Sequence, residues 1–162
     1  MIGDWSNFCL GELGAAAALA GLLFVSVSVN QARILQLGRM ADRGLEALAM
    51  LFLIVVVASL PLVPGQPLRL LGAEILVIAA VILLVAIRLQ LTYLRAVEPQ
   101  YRPQSMRMVT LNRLAVGTIA LAGGVLLYRG DGVGMYLLPV GILLSFLAAG
   151  FNAWVLLIEI NR

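Results

Sequence analysis

The stretch Leu45–Leu91, LEALAMLFLIVVVASLPLVPGQPLRLLGAEILVIAAVILLVAIRLQL, decides the fold. It holds two apolar runs, about Leu45 to Val63 and about Leu68 to Leu91, parted by Pro64-Gly65-Gln66-Pro67. Each run has roughly the 17–25 residues a helix needs to cross a hydrocarbon core. Proline withholds a backbone donor and glycine takes unusual dihedrals, so the break reads as a tight turn. The segment is a hairpin of two membrane-length helices.

Working outward, three more apolar runs appear: about Phe8 to Val29, Leu111 to Tyr128 and Met135 to Ile158. Lipid cannot satisfy exposed backbone groups, and such long runs do not resemble the alternating strands of a barrel, so all are expected to be helices. The whole chain is 62% hydrophobic and 12% charged, with a mean hydropathy of +1.05. Soluble domains are roughly half apolar and a quarter charged, so lipid must be the solvent for much of this surface. The expectation is all-α: a polytopic membrane helix bundle of five transmembrane helices forming a single domain over residues 1–162.

Charge supplies the orientation. The 11 basic residues are all arginines, and there is no histidine. Arg33, Arg39 and Arg43 fill the gap after the first run. Arg95, Arg102, Arg107 and Arg113, with Arg88 nearby, surround the gap after the third. The opposite ends hold only Arg69 and Arg129, with Asp4 and Asp131. The positive-inside rule then predicts an N-out/C-in threading with both basic connections in the cytoplasm. An odd number of crossings is required. The fourth run is short and glycine-bearing, and a re-entrant helix there would put the C-terminus outside. The pI near 9.6 is explained by these membrane flanks, so no nucleic-acid partner is expected. No basic segment precedes the first run, which is expected to be retained rather than cleaved as a signal peptide.

Ionisable groups at membrane depth need a partner, water or a neutral form. Glu12 and Glu74 lie near the outer ends of the first and third spans, each roughly 6 Å inside the apolar boundary at about 1.5 Å per residue. Two carboxylates at one depth can share a proton or bind a cation; the plainer reading has each bonded to a neighbour, Arg69 included. A second polar group gathers at the inner ends: Asn30, Glu46, Arg88, Gln90, Asn112, Asn152 and Glu159. There Arg88 can pair with Glu46 or Glu159, and the asparagines can cross-link helices. Glu74 and Arg88 share nearly one helix face, yet Ile78, Val81 and Val85 lie between them, so no single span carries a continuous polar track. The connection at 31–44 reads as partly helical, with Ile34, Leu35, Leu37, Met40 and Leu45 on an apolar side.

Small residues spaced by four let helix backbones approach closely: Gly14/Ala18, Ala17/Gly21 and Gly141/Ser145/Ala149, with Gly117, Ala120, Gly123 and Gly124 in the fourth run. These faces are expected to serve internal packing, with one left for self-association or another membrane protein.

Chemistry finds little footing. Without histidine there is no serine–histidine, zinc–histidine or haem–histidine site, and without lysine no Schiff base. Cys9 is the sole cysteine, which excludes an intrachain disulfide. No catalytic residue, metal or cofactor is expected. The Arg129-Gly130-Asp131 triplet and its glycine-rich sequel lack the spacing of a phosphate loop and read as a hairpin.

The segments Gly21-Leu22-Leu23-Phe24-Val25-Ser26-Val27-Ser28-Val29-Asn30, Leu62-Val63-Pro64-Gly65-Gln66 and Asn152-Ala153-Trp154-Val155-Leu156-Leu157-Ile158-Glu159-Ile160 resemble those of small, functionally uncharacterised multi-pass proteins of bacterial inner membranes. That resemblance implies a bacterial inner-membrane location and transfers no activity or ligand. The expected role is non-enzymatic: helix–helix assembly, as a homo-oligomer or an accessory subunit. The alternative is a small ion or proton channel or transporter that uses Glu12 and Glu74.

Overall fold

The computed structural model describes residues 5–36, 40–96 and 102–160. It is 93% helical, with no strand among the described residues. The helices are α1 (Ser6–Val29), α2 (Gln31–Gln36), α3 (Met40–Ser59), α4 (Leu68–Ala96), α5 (Arg102–Arg129) and α6 (Leu138–Ile160), with 3-10 turns at Leu60–Leu62 and Gly132–Tyr136. Among them, five are long and apolar enough to cross a membrane. The fourth is no exception: its apolar stretch, Met106–Arg129, has 24 residues. The α5 helix begins well before Leu111 because Pro103 sits in its first turn, where a missing N–H is harmless. That proline therefore opens a helix.

Each junction has a local cause. Asn30 ends α1, its backbone N–H and its side-chain Nδ2 both donating to the Ser26 carbonyl, at 3.3 and 2.9 Å. The chain re-enters helix at once, since the Asn30 carbonyl accepts from Ile34 N–H at 3.0 Å. The short α2 so formed buries Ile34 and exposes Arg33. Residues 37–39, the rest of that basic connection, lie outside the described residues. Between α3 and α4, Gly65 takes a φ of +71°, the left-handed conformation that a proline–glycine turn needs. Between α5 and α6, Gly130 (φ +67°) closes α5, its N–H bonding to the Leu126 carbonyl at 2.9 Å.

The packing neighbours form a series, α1–α3–α6–α5–α4. Although α3 and α4 are joined by a tight turn, they touch little; α6 packs between the α1/α3 and α4/α5 hairpins. Sequence explains why α6 can do so. Leu138, Gly141, Ile142, Ser145, Ala148, Ala149, Asn152 and Leu156 recur at three- and four-residue spacing and are all buried. The end helices bury less: 22% of the most apolar window of α1 and of α4, against 44% for α3 and α5. At one end of the molecule Trp5 meets Tyr136 edge-to-face, with ring centroids 5.0 Å apart, which fixes the start of α1 beside the start of α6.

Glycine sets the closest contacts. A Cβ placed on Gly123 would lie 2.8 Å from the Leu76 backbone N and 2.9 Å from the Gly72 carbonyl oxygen, so α4 and α5 touch backbone to backbone. On α6, a Cβ at Gly141 would lie 2.5 Å from Ile119 Cγ1 and 3.1 Å from Ile119 N. Gly134, in the turn before α6, is equally confined by Leu126 and Ala122. The helix that receives Gly141 and Gly134 is α5.

Candidate functional site

Most buried polar side chains lie toward the arginine-rich end, where α1, α4 and α6 finish and α3 and α5 begin. Adjacent residues of α5 reach to different helices. Asn112 Nδ2 donates to Glu46 Oε2 on α3 at 3.4 Å, a long bond, while Arg113 Nε donates to Gln90 Oε1 on α4 at 3.1 Å. The first link ties the α4/α5 hairpin to α3, and the second joins the two helices of the hairpin to each other. Gln90, Asn112 and Asn152 are each at most 1% exposed. Ser145, also buried, uses its hydroxyl within α6, donating to the Gly141 carbonyl at 2.8 Å.

Not every amide group there is used. Among the described residues, Asn112 Oδ1, Gln90 Nε2 and both polar atoms of the Asn152 amide make no hydrogen bond. A buried polar atom in that state typically costs about 1–3 kcal/mol. The cluster therefore orients helices rather than contributing large net stability. Of the remaining residues expected here, Asn30 bonds locally as the α1 cap and Arg88 is exposed on α4; the Glu159 side chain lies outside the described residues.

Glu12 and Glu74 are arranged differently. Glu12 is half-buried on α1, one turn from buried Cys9. Glu74 is half-buried on α4 and accepts a short hydrogen bond from Gln66 Nε2, so the turn before α4 engages its carboxylate. Arg69 does not appear as that partner; its side chain lies over Gly130. The packing series places α1 and α4 at its two ends, and no strong helix pairing brings Glu12 to Glu74.

The Arg129-Gly130-Asp131 triplet is a turn device. Arg129 Nε bonds Asp131 Oδ2 at 2.9 Å, and Asp131 Oδ1 accepts the Val133 N–H at 3.1 Å. The Arg129 hydrogen bond first, then the Val133 N–H, holds the Asp131 carboxyl below its ordinary range.

The small-residue faces divide sharply. Gly141, Ser145 and Ala149 are buried in α6. Gly14, Ala18 and Gly21 lie on the exposed side of α1, and a Cβ at Gly11, Gly14 or Gly21 would meet nothing within 4 Å. What α1 turns inward is Cys9, Ala16, Ala20 and Leu23. Two contact glycines, Gly72 and Gly134, did not emerge from the spacing pattern. Gly72 stands alone in a leucine-rich run, and Gly134 lies in a segment that reads as a loop.

These features are consistent with a multi-pass helical membrane protein. Compared with protein-family models, curated proteins and solved structures, the chain matches none.

Proposed function

We propose that this chain is a non-enzymatic, N-out/C-in protein of the bacterial inner membrane that works by assembly, as a homo-oligomer or an accessory subunit. One observation carries the reading: the small-residue face of α1 is unused within the chain. Elsewhere Gly72, Gly123, Gly134 and Gly141 lie in close contacts, whereas Gly11, Gly14, Ala18 and Gly21 face outward at the end of the packing series. In lipid, where association depends on close backbone approach, such a face suits another transmembrane helix.

The test separates assembly from folding. Gly14→Leu adds a side chain to open space, so it should leave the helical fold intact while lowering the mass of the complex extracted in mild detergent. Gly141→Leu, whose added Cβ meets Ile119, should damage the fold itself. A wild-type protein extracted as a strict monomer with no stoichiometric partner would refute the proposal. The channel reading requires Glu12 and Glu74 to cooperate, and their helices stand at opposite ends of the packing series. Liposome flux that falls on Glu12→Gln or Glu74→Gln would favour it.

A further inference from the structure

The arginine-rich end also carries a groove of about 580 Å³ between the first turns of α5 and the last turns of α6. Arg107, Met108 and Leu111 form one wall; Phe151, Trp154, Val155 and Ile158 form the other. The spacings 107/108/111 and 151/154/155/158 each describe one helix face. The wall is thus a single cation above otherwise apolar side chains.

We propose that this groove binds a phospholipid with an anionic headgroup, its phosphate on Arg107 and an acyl chain along Leu111, Phe151 and Trp154. The inference rests on the membrane reading of the fold and is independent of the assembly proposal. Depth supports it: Arg107 is the second residue of the apolar stretch Met106–Arg129, and Ile158 is the last of Gly132–Ile158. Leu111 and Trp154 each lie four residues further in, roughly 6 Å along their helices at about 1.5 Å per residue. The guanidinium therefore stands at headgroup level with apolar wall beneath it.

Chemistry points the same way. Arg113 is held by Gln90 and Arg129 by Asp131, whereas no hydrogen bond or ion pair engages Arg107 among the described residues. Its planar fork suits bidentate contact with phosphate. Trp154 and Phe151 are 65% and 51% exposed, leaving their rings open to an acyl chain that runs inward from Arg107. A basic groove between helices at the membrane surface is a recurrent form of anionic-lipid site.

Purified protein would be exchanged into mixed micelles containing phosphatidylglycerol and phosphatidylcholine of identical chains, and retained lipid read by native mass spectrometry. Wild type should retain one phosphatidylglycerol in preference. Arg107→Gln should lower that preference about fivefold, the typical effect of one arginine at an anionic surface. Arg33→Gln, exposed on α2 at the same end and outside the groove, should not. Excess inorganic phosphate should fail to displace the lipid, because the acyl chain contributes to holding it. Equal retention of both lipids, or equal loss in the two arginine variants, would overturn the proposal. Carbonate extraction of the same cells tests the membrane reading separately. Protein that stays in the pellet yet shows no lipid preference sinks this inference alone.

Discussion

Adjacent glycines on α5 should respond oppositely to the same one-carbon change. A methyl group at Gly123 would stand 2.8 Å from Leu76 N and 2.9 Å from the Gly72 oxygen, both backbone atoms that no rotamer change can move. Ordinary contact begins near 3.4 Å, so α4 and α5 must part by about half an ångström, loosening their shared interface. Overpacking of this kind costs about 1–3 kcal/mol, and the gain from replacing a helical glycine by alanine, about 1 kcal/mol, offsets only part of it. Gly123→Ala should therefore lose up to about 2 kcal/mol net. Gly124→Ala meets nothing within 4 Å and should gain up to about 1 kcal/mol. Both variants can be followed by far-ultraviolet circular dichroism during denaturation in mixed micelles, comparing midpoints with wild type. Equal midpoints for the pair, or a larger loss for Gly124→Ala, would refute the backbone-contact account of the α4/α5 interface.

The polar cluster and the Arg129–Asp131 turn yield further expectations. Asn152→Leu replaces a buried amide that has no hydrogen bond among the described residues, so stability should hold or rise by about 1 kcal/mol; a loss above about 2 kcal/mol would mean the amide is bonded in the folded protein. Gln90→Leu breaks the link to Arg113 and should lower stability by about 0.5–2 kcal/mol, with Gln90→Glu restoring it through a charged acceptor. Asp131 has a folded pKa below its unfolded value, so its contribution is present above the unfolded pKa and is lost as pH falls through the folded one. Wild type and Asp131→Asn should therefore differ in melting temperature at neutral pH and converge in acid, below the ordinary carboxyl value of 3.8. A gap that stays constant with pH would discount the Arg129 pairing.

On the membrane reading, what the sequence could and could not reveal follows from the solvent. Lipid demands long, internally bonded helices, so apolar runs and proline–glycine breaks disclosed the five helices and their turns. The same solvent hides which helix meets which, because a lipid-facing side chain is as apolar as a core one. On α1, Ala16 and Ala20 are buried while Ala15, Ala17 and Ala18 are exposed, and nothing in their identity separates them. Packing order was therefore not legible, nor was the placement of α6 between the two hairpins. Spacing of small residues marked close-approach faces without saying which were occupied: Gly141, Ser145 and Ala149 turn inward, whereas Gly14, Ala18 and Gly21 turn outward. Polar residues were more informative. Asn112 and Glu46 were grouped by depth and are indeed linked, while Arg113, counted only as a flanking charge, makes the Gln90 contact that composition did not suggest.

The most direct test of the central claim is the sidedness of the helix ends in intact cells. With Cys9 replaced by alanine, single cysteines at Gln36, Met106, Val63 and Val133, all on exposed ends or turns, would be challenged with a membrane-impermeant thiol reagent. The account predicts labelling from outside at Val63 and Val133, and protection of Gln36 and Met106 until the membrane is opened. Gln36 and Met106 reacting from opposite sides would contradict it.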